Sequence, residues 1–136
     1  MNENEVKVFT LDEANELLPV LSELIGALQE KRGEVTKVEL EVDAHELMDV
    51  QDAKSESEFQ NLIEKHQRLV DEFYAIVDEI HSYGCFLKDA DLGLVDFYSA
   101  VDGRPVFLCW RFGEEGINFW HEIESGYTSR KPINEH

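Results

Sequence analysis

Residues 84–133, GCFLKDADLGLVDFYSAVDGRPVFLCWRFGEEGINFWHEIESGYTSRKPI, differ in kind from the chain that precedes them. They hold both cysteines, both tryptophans and 9 of the 14 aromatic residues, in 50 of 136 positions. Their period is that of strands. Leu94–Ser99 reads as one strand, and Asp102-Gly103-Arg104-Pro105 as a turn, because Asp-Gly supplies the positive φ angles that tight hairpins need. Val106–Phe112 reads as the next strand. Gly113-Glu114-Glu115-Gly116 is a second turn, and Ile117–Ile123 a third strand or a short helix. The segment therefore predicts a small antiparallel sheet of two or three strands.

Upstream the period becomes helical. Thr10-Leu11-Asp12-Glu13 fits a capping box, with Phe9 placed to staple onto Ala14. From there apolar residues fall at Leu11, Ala14, Leu18, Leu21, Ile25 and Leu28, the three-four spacing of a core-facing helix. Pro19 interrupts this run and predicts a kink or a two-part helix near Leu18. Val35, Val38, Leu40 and Val42 almost alternate. The surrounding Glu, Lys and Ala nevertheless favour helix to about Asp49. Gln51–Ser57 is a polar turn in which Ser55 or Ser57 caps the next helix. That helix carries Phe59, Leu62, His66, Leu69, Phe73, Ile76 and Ile80 in heptad spacing, with Ile63, Val70 and Val77 beside them. His66 is the one polar residue of the seam and reads as a hydrogen-bonded histidine at the core edge. Gly84 ends the helix.

The expected fold is α+β: a long antiparallel helical hairpin, its first helix kinked at Pro19, followed by the small sheet. The chain reads as a single domain over 1–136, with 10–83 helical and 84–133 β-rich. The hairpin leaves apolar surface that the sheet or a second copy would cover, so a homodimer through the helices is expected.

Composition excludes several classes. The formal net charge is −18, and residues 1–84 carry 21 acidic against 7 basic side chains. Such a surface repels phosphate backbones and anionic membranes; it is compatible with a cationic protein or a metal ion as partner, and reads more simply as solvated acidic helix faces that keep the protein soluble. No apolar run is long enough for a transmembrane helix, and MNENEVKVF lacks a signal-peptide core, so a cytoplasmic location is expected. Cys85 and Cys109 make no disulfide framework and no CxxC motif. The glycines are scattered through turns and do not form a phosphate loop.

Six metal-ligand side chains, Asp89, Asp91, Asp96, Cys109, Glu114 and His121, fall within 33 residues. Strand alternation puts Phe107, Cys109 and Arg111 on one side of their strand, and sets Asp96 opposite to Val95 and Phe97. Were Asp96 to share the Cys109 side, carboxylate and thiol would converge, with Glu114 and His121 in reach. Mixed oxygen, nitrogen and sulfur ligands suit a divalent transition metal such as zinc or iron. No HExxH motif is present, and Asp89-Ala-Asp91-Leu-Gly93 fails the EF-hand ligand pattern. The competing account is a structural polar network, in which Asp96 pairs with Arg111 or Arg130 and Glu114 with Arg130. A nucleophilic Cys109 with His121 as base is disfavoured, because a mid-strand cysteine is buried and inert. No catalytic residue is assigned.

Several segments carry a family resemblance. They are Phe9-Thr-Leu-Asp-Glu-Ala-Asn-Glu-Leu-Leu-Pro19, Lys88-Asp89, Gly93-Leu-Val-Asp-Phe97, Leu108-Cys-Trp110, Gly113-Glu114, Trp120-His121 and Gly126-Tyr127 with Arg130. Together they resemble a bacterial family called domain of unknown function 2203, over nearly the whole chain. The resemblance implies a small cytoplasmic protein, helical at its start, and carries no activity. Two functional expectations therefore stand. The first is a non-enzymatic interaction or regulatory module built on the helical hairpin, taking a protein partner. The second is a metal-binding protein or metal-dependent enzyme using Asp96, Glu114, His121 and Cys109.

Overall fold

The computed structural model describes residues 6–133. Phe9 bonds through its N–H to the Tyr98 carbonyl at 2.8 Å, which ties the lead-in to the sheet. Thr10 then opens α1 (Leu11–Glu16) with the expected capping box. Its hydroxyl accepts from the Glu13 N–H at 3.1 Å, and the Glu13 carboxylate accepts from the Thr10 N–H at 2.8 Å.

Of the two alternatives that Pro19 left open, a kink or a two-part helix, the second is the one formed. The chain breaks at Leu17, whose N–H turns back to the Ala14 carbonyl at 3.1 Å, and α2 (Leu18–Met48) starts afresh. Pro19 sits in the first turn of α2, where its missing N–H leaves no bond unmade. Val35–Val42 is helical throughout, since β-branched residues one turn apart still line a helix face. Asp49 turns the chain in a left-handed conformation, φ 48° and ψ 42°. The cap of α3 (Ala53–Ser82) is Asp52, which accepts from the Ser55 N–H at 2.7 Å. Ser55, expected as a cap, is free to bond His45 instead, at 3.0 Å. Gly84 follows the end of α3 at φ 92°, as a terminating glycine should.

Helices α2 and α3 run antiparallel, as Lys31–Glu72, Glu39–His66 and His45–Ser55 contacts show. No helix among the described residues is long and apolar enough to cross a membrane.

Among the described residues the sheet has five strands, not two or three: β1 (Phe86–Asp89), β2 (Leu94–Val101), β3 (Arg104–Arg111), β4 (Phe119–Glu122) and β5 (Lys131–Pro132). It is an antiparallel meander in sequence order. The two additional strands are the edges, four and two residues long, and a register shift between Leu87 and Asp89 breaks the alternation that would have announced β1. The β2–β3 turn is the two-residue Asp102-Gly103 hairpin, with φ of 53° and 77°, the pair of positive values that a type I′ turn requires. Pro105 is tolerated in β3 because it lies beyond the end of β4, so that side has no ladder to break.

One face of the sheet packs on the helices. Val95, Phe97, Leu108 and Trp110 meet Leu18, Leu21, Ile25, Leu28 and Ile80 in one buried cluster. The predicted stripe of α1 and α2 is therefore the helical half of the core. Farther out, Val35, Val38 and Leu69 form a smaller cluster between the helices alone. Strand alternation leaves Asp96, Cys109 and His121 on the opposite face.

Candidate metal centre

Register places the polar residues. Asp96 on β2 stands directly opposite Cys109 on β3, and Cys109 opposite Phe119 on β4. His121, two residues beyond Phe119, is on the same face. Its ring lies 5.5 Å from that of its partner Phe107. Asp96, Cys109 and His121 expose only 4%, 1% and 2% of their surfaces. One ligand atom from each lies within 4.8 Å of the others. The convergence expected of Asp96 and Cys109 is thus present, and His121 joins them.

The hydrogen bonds of His121 set its tautomer. Nδ1 lies 2.8 Å from the Glu122 carbonyl oxygen. A carbonyl only accepts, so Nδ1 carries a proton and donates it. The same carbonyl accepts from the Ser125 N–H at 3.1 Å, which fixes it at the end of β4. Nε2 faces Asp96 Oδ2 at 3.0 Å. With Nδ1 protonated, Nε2 presents a lone pair to a carboxylate unless a second proton or another cation lies between them. Cys109 completes the triangle. Burial pushes its thiol up to about 12, the Asp96 carboxylate adds to that rise, and the Arg130 guanidinium opposes it. The thiol is protonated at neutral pH, so Cys109 is not a primed nucleophile.

Glu114 is held elsewhere. Its carboxylate receives Arg130 Nη1 at 3.1 Å and Nη2 at 2.8 Å, in a two-pronged pair, and the Arg111 N–H at 2.8 Å. Trp110 Nε1 donates to the Glu114 carbonyl at 3.0 Å, pinning the turn. Arg111 Nη1 reaches the Tyr127 hydroxyl at 3.0 Å. The Arg130 guanidinium carbon lies over Phe119 and Tyr127, 4.0 and 4.4 Å from their ring centres. The Glu114–Arg130 pair expected of a polar network therefore forms. Asp96 pairs with His121, not with Arg111 or Arg130, and Glu114 stays outside the Asp96 cluster. Asp89 accepts from the Leu92 N–H at 2.9 Å, the ordinary work of a turn aspartate.

The three clustered residues floor a cleft of about 180 Å³, walled by Lys88, Phe107, Ile123, Ser125 and Tyr127. Lys88 and Tyr127 were not foreseen as site residues. Lys88 shares the face of Phe86, whose partner is Asp96, but that reading requires β1, which the sequence hides.

No curated protein and no solved structure matches this chain. A family model described as "Uncharacterized conserved protein (DUF2203)" matches residues 7–133, and the chain belongs to that family, as its helix start and its Leu-Cys-Trp and Trp-His segments led us to expect.

Proposed function

We propose that this protein binds a divalent transition metal, zinc or iron, through Asp96, Cys109 and His121. The observation that carries this reading is the 3.0 Å approach of His121 Nε2 to Asp96 Oδ2 with Nδ1 already committed to a carbonyl. A ligating histidine usually donates its other ring N–H to a carbonyl or carboxylate, which orients the lone pair at the metal. A metal would replace the thiol proton of Cys109, removing the penalty that burial places on the thiolate. Zinc accepts such a mixed oxygen, nitrogen and sulfur set, and three protein ligands leave a fourth position for water or substrate. That position would face the cleft, the arrangement of a metal-dependent enzyme rather than of a closed structural site. Glu114 is left out of the set because Arg130 and Arg111 occupy its carboxylate.

Elemental analysis of untagged protein purified without chelator tests this. We expect about one metal ion per chain, lost in His121→Ala and in the milder Cys109→Ser, whose melting curve checks that it folds. Protein that stays metal-free after incubation with Zn²⁺ would refute the reading.

A second reading, an interaction module on the helices, is favoured by the outer end of the α2–α3 pair. Leu47 and Met48 are 86% and 73% exposed there, and residues 39–64 hold nine acidic side chains and one basic, Lys54. Apolar anchors ringed by one sign of charge suit a basic amphipathic helix. A second copy would bring like charges together, so the homodimer expected through the helices would need screening salt. Fluorescence anisotropy with a synthetic leucine–lysine amphipathic peptide should show binding that Leu47→Glu with Met48→Glu abolishes. Unchanged binding in that variant, or a dimer mass at low salt, would count against it.

A further inference from the structure

We propose that the cleft above the cluster binds a small carboxylate carrying a short apolar substituent, its oxygens held by Lys88 and Tyr127 at the open position of the metal. This inference rests on the metal-binding reading and adds a ligand class to it.

Charge gives the first argument. A divalent ion with one carboxylate, one thiolate and one neutral imidazole forms a neutral set. The unbalanced charge lining the cleft is then the Lys88 ammonium. It sits over two aromatic faces, 5.6 Å from the centre of Phe86 and 5.4 Å from that of Phe107. Among the described residues no carboxylate pairs with it, in a chain with 30 acidic and 12 basic residues. The other nearby cations are engaged: Arg130 with Glu114, and Arg111 with Tyr127.

Hydrogen-bond direction gives the second. The Tyr127 hydroxyl accepts from Arg111, which leaves its own proton to donate. Ser125 offers no proton, because its hydroxyl donates to the Glu122 carbonyl at 3.2 Å. The free protons above the floor are those of Lys88 and Tyr127, and their complement is an oxyanion. Shape gives the third. Phe107 and Ile123 line the same cleft, and about 180 Å³ admits a few heavy atoms, not a nucleotide. An apolar wall favours a carboxylate with a short tail over a heavily hydrated phosphate.

Cobalt-loaded protein supplies the test, because Co²⁺ bound to a thiolate reports its coordination in visible absorption. Propionate should change the spectrum saturably, and inorganic phosphate should bind more weakly. Lys88→Met should weaken propionate binding roughly ten- to a hundredfold, the size of one charge-assisted hydrogen bond, with cobalt content unchanged. Tyr127→Phe should cost about threefold, as a neutral donor does. A bound cobalt whose spectrum ignores propionate would overturn this inference and leave the metal reading intact. So would equal affinity in Lys88→Met, or tighter binding of phosphate. Failure to take up cobalt at all would overturn both.

Discussion

Gly93 is where local geometry and the candidate centre meet, and Gly93→Ala tests the connection. Its φ is 69°, and an added Cβ would lie 2.5 Å from Phe112 Cβ and 3.2 Å from Ile25 Cγ2. The left-handed backbone costs an alanine roughly 1–2 kcal/mol. The approach to Phe112 is to the Cβ, not to the end of a flexible side chain, so backbone must move, at a further 1–3 kcal/mol or so. Phe112 is held by its N–H bond to the Gly93 carbonyl at 2.8 Å and by an edge contact with Trp110. A total near 3 kcal/mol lowers the melting temperature by about 10 °C for a chain of this length. Gly103→Ala is the control. It has the same sign of φ, 77°, with nothing near the added atom, so it should lose only the conformational part. Thermal melts followed by circular dichroism compare the two. Equal shifts would refute the steric argument, and a Gly93→Ala shift below that of Gly103→Ala would refute the packing at this corner. Because Gly93 precedes the residue of β2 that pairs with Arg111, a displaced backbone there also slides Asp96 against Cys109. Metal content should therefore fall in Gly93→Ala and stay unchanged in Gly103→Ala.

Two further outcomes follow from the same geometry. Arg130→Lys keeps the charge but loses the two-pronged bond to Glu114 and the guanidinium's contact with the Phe119 ring; it should destabilise by roughly 1–2 kcal/mol in urea melts, and no loss would mean that the pair is dispensable. Burial raises the Cys85 thiol to about 11 from 9.0, so above pH 9 the unfolded chain releases this proton before the folded one does. Cys85 should accordingly cost about 1–3 kcal/mol of stability between pH 9 and 11, and Cys85→Val should make that limb shallower, what remains coming from the likewise raised Cys109 thiol; an identical limb in the variant would refute the assignment.

The helical core was legible because it follows one strong period. Leu11, Ala14, Leu18, Leu21, Ile25 and Leu28 all reach the core between helices and sheet. The central hairpin was legible for a chemical reason, since Asp-Gly narrows the turn to one geometry and that turn fixes the register of Asp96 against Cys109. The edges were not. A four-residue strand with a shifted register gives alternation too little length to show, and a two-residue strand gives none. Missing β1 concealed Lys88. The surroundings of Glu114 were hidden for a different reason. Its residue type suits a metal, but the sequence distance to Arg130 does not reveal that the chain returns across β4 to bring the guanidinium onto it. The break at Leu17 was half visible, since Pro19 announces either a kink or a restart near Leu18 without deciding between them.

The energetics of the outer sheet face bear on what the trio is for. Asp96, Cys109 and His121 replace apolar residues at positions as buried as Val95 and Phe97 behind them. A buried ionic or hydrogen-bonded pair is often no more stabilising than apolar side chains of the same volume, and it strongly destabilises once either partner is removed. Holding an aspartate against a histidine there is thus no efficient way to make this small sheet stable, and the protonated thiol beside Asp96 adds only a weak S–H donor. Yet the surroundings are arranged to keep the three in register. The Glu122 carbonyl is fixed by Ser125 and receives Nδ1, the hairpin sets β2 against β3, and the Glu114–Arg130 pair closes the segment that brings Tyr127 over the cleft. A supporting shell around an energetically unrewarding cluster is what the proposed metal site would require. Glu114 fits the supporting role in that proposal: its carboxylate already holds three N–H groups and has little left to give an ion.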